Sequence, residues 1–240
     1  AACLGGILLT TEKKQTESKQ NILRPKQKIK WTHSLFILFI VASVFLAAKP
    51  LMNDFLNGDE WHVYNLAKTI VETGQLENEW NFLYDKPDFP YRQETPTSIY
   101  LAAWFKIFGE HVIVAHLSSF LIATLFIILF FAFAKKNFNT VIALASTAYF
   151  CTTPFFIFQS IYIRGYIHIL LISLIIYYIS TKIYNEKINK KAWFWIIFAL
   201  FLIYLAKDIR IFSIMLVLPL LLAFSLRISR YKIKQKLHQK

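Results

Sequence analysis

Six long apolar blocks, interrupted by charge or proline, constrain this chain more than any other feature. They cover residues 31–48, 112–134, 141–158, 166–181, 192–206 and 211–226. A helix needs about 20 apolar residues to cross a bilayer, within about 17 to 25. The last three blocks are short by that measure and must borrow flanking Tyr, Trp or Lys to reach the interfaces. With 56% hydrophobic and 17% aromatic residues, the chain is too apolar for an ordinary soluble domain. The expected fold is therefore all-α, a polytopic membrane helical bundle of about six transmembrane helices.

The charges orient such a bundle. Nineteen of the 27 Lys and Arg residues fall in residues 13–30, at 135–136, in 182–191 and from 227 onward. Basic residues beside short connections resist translocation, so these positions are expected in the cytoplasm, with both termini. Residues 49–115 instead hold ten of the fourteen acids against five bases and should face outward. The net charge of +13 could suggest nucleic acid, but clusters such as Lys26, Lys28 and Lys30, or Lys232, Lys234 and Lys236, abut the apolar blocks directly. Anionic lipid headgroups are the expected partner, and no nucleic-acid motif accompanies the charge. Residues 1–30 read as a basic cytoplasmic segment and 227–240 as a basic cytoplasmic tail. The first ten residues lack the basic stretch of a signal peptide and look like a truncated beginning. Cys3 and Cys151 suggest neither a disulfide framework nor a metal cluster.

The outward segment, 49–115, is far longer than an ordinary connection. Asp59 can cap a helix that opens at Glu60, carries Trp61, Tyr64, Ala67 and Val71 at helical spacing, and stops at Gly74. Pro96 can open a second helix, whose Ile99, Trp104, Phe105, Ile107 and Phe108 lead to Gly109. Both are expected to be amphipathic helices on the membrane surface. Between them, Pro87 and Pro90 with five aromatics in residues 77–96 argue for an irregular loop that could roof a pocket.

Gly58-Asp59-Glu60-Trp61-His62 resembles the D-E-x-H signature of protein O-mannosyltransferases. Pro96 with Ala102, Phe105, Lys106, Phe108 and Gly109 is similar to the P-x-L-Y…F-K-L-F-G stretch of the same superfamily. Thr153-Pro154-Phe155 with Tyr162 to Tyr166 around Arg164 resembles its S-P…R-x-Y passage, and Leu205-Ala206-Lys207 its L-T-K turn. Together these matches, over residues 31–226, resemble the GT-C superfamily of membrane glycosyltransferases, including the aminoarabinose-transferase-like enzymes. Where those enzymes carry the lysine of K-P-P, this chain has Glu94 or Thr95, with Lys86-Pro87 a shifted echo. The resemblance also implies further helices, so that this chain would be an N-terminal portion.

The resemblance implies an inverting transfer of a sugar from a polyprenyl-phosphate donor to a lipid, glycan or protein acceptor on the extracytoplasmic face of the plasma or inner membrane. A phosphate leaves without being protonated, whereas a hydroxyl or amine acceptor needs a base. Asp59 is the expected base. Glu60 either orients the acceptor or holds a divalent cation, Mg or Mn, since hard cations prefer carboxylate oxygens. Arg164, Lys86, Arg92 and Lys207 are candidates for the donor phosphate, and His62, Tyr64 and Tyr166 for acceptor or sugar.

Plainer readings stand beside these: Asp59 as a helix cap, Arg164 as an interfacial cation reaching for headgroups, and Lys207 with Asp208 and Arg210 as a turn closed by a local ion pair. His168 would then be a hydrogen-bonded interior group, and Trp193 and Trp195 part of an aromatic belt. The alternative function is non-catalytic: a transporter fragment or a subunit that binds lipid-linked glycans. A transporter should carry acids or broken helices at mid-membrane, whereas here the acids crowd one outward loop.

Overall fold

In the computed structural model, the described residues are 31–52, 56, 58–76, 94–185 and 190–226, and the regular structure among them is helical. The chain divides into residues 1–39 and 40–240. Helix α1, Trp31–Ala48, closes in a 3-10 turn, Lys49–Leu51, at Pro50. In the first unit its described residues expose Leu35, Leu38 and Phe39. Everything that follows concerns the second unit.

Two helices come from residues 49–115. Helix α2, Glu60–Thr73, ends where Gly74 turns left-handed at φ 73° and donates its N–H to the Ile70 carbonyl. Helix α3, Thr95–Phe108, starts with Pro96 in its first turn, where a missing N–H costs nothing, and ends at Gly109, φ 89°. They pack face to face. Val63, Tyr64 and Ala67 of α2 meet Leu101, Ala102 and Phe105 of α3, and Ala115 and Ile163 complete this core.

The remaining helices run back and forth. Helix α4, Val112–Asn137, has 26 residues and is about 39 Å long at 1.5 Å per residue. Helices α5, Thr140–Cys151, and α6, Pro154–Ile161, follow, then α7, Tyr166–Asn185, and α8, Lys190–Ile209. Helix α9, Ile211–Leu226, opens as a 3-10 turn over Ile211–Leu216. Ile176, Ile179 and Ile183 of α7 form a second core with Ala199 and Ile203 of α8 and Leu220 of α9. The outward faces keep Leu121, Leu125, Ile128, Phe201, Tyr204 and Leu222 exposed. In water such a surface would be a large liability, and in lipid it is the expected one.

Among the described residues, three helices are long and apolar enough to cross a membrane: His33–Leu51, α4 and Tyr166–Tyr184, or four if the bent pair α5–α6 is one span. This is fewer than the six expected: α8 is not among the spans, α9 is only a shorter apolar helix, and the third block is bent. One continuous helix is expected over the third block, but α5 and α6 are bent by 69°. Pro154 disfavours helical backbone at the residue before it. Thr153 accordingly turns extended, φ −66° and ψ 140°, and its hydroxyl accepts the Phe156 N–H to cap α6.

Candidate functional site

Four elements converge at one end of this bundle: the start of α2, the start of α3, the link between α6 and α7, and the break between α8 and α9. Packing explains the convergence. His116 Nδ1 lies 2.9 Å from the Ile161 carbonyl, which ties the end of α6 to the first turns of α4. The link then passes so close to α3 and α8 that only glycine fits at position 165. A Cβ there would overlap the Ile209 side chain and come within 2.8 Å of Thr97 Oγ1.

That close approach brings charged groups together. Glu94, almost fully buried, accepts a bond from Arg164 Nε at 2.9 Å and from Arg210 Nη2 at 2.8 Å, both on the same carboxylate oxygen. Arg164 Nη1 donates to Asp59 Oδ2. Arg210 also donates to the Tyr166 hydroxyl at 2.9 Å, and its guanidinium carbon sits 4.7 Å from the centre of the Tyr166 ring. The result is a chain of alternating charge, Asp59, Arg164, Glu94 and Arg210, assembled from four separate stretches of sequence. Asp59 is its open end. Its side chain is 65% exposed, against 9% for Arg164 and 3% for Glu94.

Electrostatics follow from that burial. Loss of water pushes the Glu94 carboxyl above the usual carboxylate range, while the charges of Arg164 and Arg210 and its bond to Arg164 pull against that rise. For Arg164, burial lowers the pKa, but the charge of Glu94, their bond and the charge of Asp59 outweigh it and leave the guanidinium more firmly protonated than usual. His62 is held below its ordinary value, first by burial and then by the charge of Arg164, with Asp59 opposing. The imidazole is therefore neutral near pH 7.

Glu60, the neighbour of Asp59, points the other way. It is buried, and its Oε1 accepts the Ile163 N–H at 3.0 Å, so α2 is pinned to the residue that precedes Arg164. Asp59 itself makes no side-chain capping bond to α2. Its carboxylate is turned to Arg164 instead.

Residues 93–239 match a family model described as dolichyl-phosphate-mannose-protein mannosyltransferase, and that stretch contains Glu94, Arg164 and Arg210. The match spans more than half of the chain. This chain belongs to the dolichyl-phosphate-mannose-protein mannosyltransferase family, whose members are membrane glycosyltransferases of the GT-C type. No curated protein and no solved structure matches it.

Against this family background, the residues singled out from the sequence are placed as follows. Asp59 and Arg164 are in direct contact, Glu60 is one bond away through Ile163, and Tyr166 touches Arg210. His62 is close enough for the charges of Arg164 and Asp59 to act on its imidazole. Tyr64 is built into the α2–α3 core, and its hydroxyl donates to the Glu110 carbonyl at 3.1 Å. Lys207 lies 3.6 Å from Asp208 and over the Tyr204 ring. Lys86 and Arg92 lie outside the described residues. The local ion pair expected at residues 207–210 forms without Arg210, which turns to Glu94 instead. His168 is not the hydrogen-bonded interior group expected: its ring packs on Tyr100 at 5.2 Å, and neither ring nitrogen has a hydrogen-bond partner among the described residues.

Glu94 and Arg210 are the site residues that sequence reasoning missed. The usable signal was the position of Glu94, an acid at the place of the relatives' K-P-P lysine and directly ahead of Thr95-Pro96. As for a divalent cation, the described residues hold no group of three or more His, Cys, Asp or Glu side chains arranged to bind one.

Proposed function

We propose that this chain transfers a sugar from a polyprenyl-phosphate donor to a hydroxyl or amine acceptor at the extracytoplasmic face of the membrane, with inversion and with Asp59 as the base. The supporting observation is the state of Asp59: a carboxylate fixed on one side by a buried guanidinium and open on the other. A general base needs that combination, because it must be held in direction yet reach the acceptor proton.

In the reaction, Asp59 takes the proton of the acceptor hydroxyl as the acceptor oxygen bonds to the anomeric carbon. The bond from that carbon to the phosphate oxygen breaks on the opposite face, and the lipid phosphate leaves with the electron pair. It needs no proton to do so. Arg164 is the nearest fixed positive charge, and it meets the growing charge of the leaving phosphate while it aims the base. Tyr166 and His62 flank the opening on the acceptor or sugar side. Glu60 acts from beneath, holding Ile163 and so the neighbouring Arg164.

The test is Asp59→Asn in the full chain, with turnover of a polyprenyl-phosphate mannose donor and thermal stability measured on the same preparation. Turnover should fall by at least about 100-fold. Stability should change by no more than about 1 kcal/mol, since the pair it breaks is exposed on the Asp59 side. Turnover within about threefold of the unaltered protein would remove Asp59 from the role, because a lost general base costs far more than that.

A further inference from the structure

We propose that Glu94 is a positioning residue for the transfer, acting on Asp59 through Arg164 with Arg210 as its counterweight. The inference rests on the reading of Asp59 as the base and deepens it, because Glu94 is linked to Asp59 through Arg164.

Three observations support it. First, one buried oxygen of Glu94 receives both guanidiniums, at 2.9 Å and 2.8 Å. Arg164 is thereby held from two directions, by Glu94 at Nε and by Asp59 at Nη1. A planar guanidinium bonded on two edges cannot swing, and the carboxylate bonded to its outer edge takes its direction from it.

Second, the backbone of Glu94 is left-handed, φ 68°, the one non-glycine residue with positive φ among those described. Glycine would adopt that geometry freely. A glutamate persists there only where surrounding contacts over-determine it, and such contacts exist: its N–H donates to the Asp208 carbonyl at 2.8 Å, and its carbonyl accepts the Ser98 N–H at 3.0 Å. The same bond to Asp208 ties Glu94 to the break that carries Arg210. Position and partner are thus fixed together.

Third, a buried ionic network is a poor way to gain stability, since apolar side chains of similar volume would serve as well or better. This one ends on the most exposed carboxylate of the group. Arg210, stacked on Tyr166 and bonded to its hydroxyl, holds the far end. With both guanidiniums bonded to its one buried oxygen, Glu94 leaves Arg164 only part of its charge to spend on Asp59. Without Glu94, Arg164 would pair with Asp59 more tightly and turn the carboxylate inward.

The experiment is a double-mutant cycle in the full chain, in its membrane, with Glu94→Gln and Asp59→Asn and a polyprenyl-phosphate mannose donor. In the native background, Glu94→Gln should lower kcat by about tenfold or more and leave the donor KM within about twofold. In the Asp59→Asn background it should change the residual rate by less than about twofold, because the group it positions is already gone. An equal loss in both backgrounds overturns the proposal while leaving Asp59 as base, and so does a raised donor KM with kcat intact. An unimpaired Asp59→Asn protein instead removes the base reading itself. If Glu94→Gln does not fold, Arg210→Lys decides. That variant keeps the Arg164 bond to Glu94 and removes one of the two guanidiniums, so a kcat loss confined to the native Asp59 background supports the proposal and an equal loss in both overturns it.

Discussion

His62 shows how a single residue reports on the site. Its imidazole is one helical turn from Asp59, and burial and then the Arg164 charge hold its pKa below 6.5, against the opposing pull of Asp59. The unfolded chain keeps the ordinary value, so on acidification the unfolded state takes up the proton first. A depressed folded pKa means that the stabilising contribution is fully present above pH 6.5 and is lost as pH falls through the folded value. The native protein should therefore lose thermal stability faster than His62→Gln between pH 7.5 and pH 5. Melting of both proteins in the same detergent at the two pH values checks this, and a constant gap between them would mean that neither burial nor the Arg164 charge lowers the imidazole pKa. Residue-level reasoning singled out Asp59 and His62 through the likeness of residues 58–62 to the D-E-x-H signature, and Arg164 as a cation between two apolar blocks. It missed Glu94 and Arg210 because their meaning lies in partners 70 and 44 positions away, Arg164 and Tyr166. Sequence proximity instead assigned Arg210 to Asp208.

At the scale of the element, start and stop signals were the most legible part of the chain. Helices α2 and α3 begin and end where Asp59, Gly74, Pro96 and Gly109 mark them, although Asp59 marks the start without capping it. The break between α5 and α6 was not legible, because hydropathy averages over Thr153-Pro154 and reports only that the segment is apolar. Yet that break aims α6 toward Ile163 and Arg164. Thr153 is its latch, accepting the Phe156 N–H at 3.3 Å and donating to the Phe150 carbonyl at 2.8 Å. Thr153→Ala should cost about 1 kcal/mol, the ordinary value of a lost N-cap, and Thr153→Ser, which keeps the oxygen, only a few tenths. Thermal unfolding of the two variants side by side measures the difference. Equal losses would mean that Pro154 alone sets the bend.

The arrangement of the whole molecule decides where the chemistry can happen. Within residues 40–240 the site gathers at the ends of the helices where α4 and α7 begin and α6 and α8 finish. Lys135 and Lys136 close the far end of α4, about 39 Å of helix away. Lys182 lies in the last turn of α7, at that same far end. A helix of that length and apolarity crosses the hydrocarbon core once, so the two ends face different compartments. Basic residues beside short connections tend to stay in the cytoplasm, which predicts Lys135, Lys136 and Lys182 on that side and, in keeping with the proposed function, Asp59 on the other. The same division separates charge along the bundle: acids and paired arginines gather at one end, and Lys135, Lys136 and Lys182 at the other. Single cysteines introduced into a Cys3→Ser, Cys151→Ser background test it. Glu72→Cys, on the exposed face of α2, should react with a membrane-impermeant maleimide in intact cells. Lys136→Cys should react only after permeabilisation. If Lys136→Cys labels in intact cells and Glu72→Cys only after permeabilisation, the carboxylate faces the cytoplasm and the proposed outward transfer cannot operate from this end of the bundle; if both label from outside, α4 does not separate the two ends.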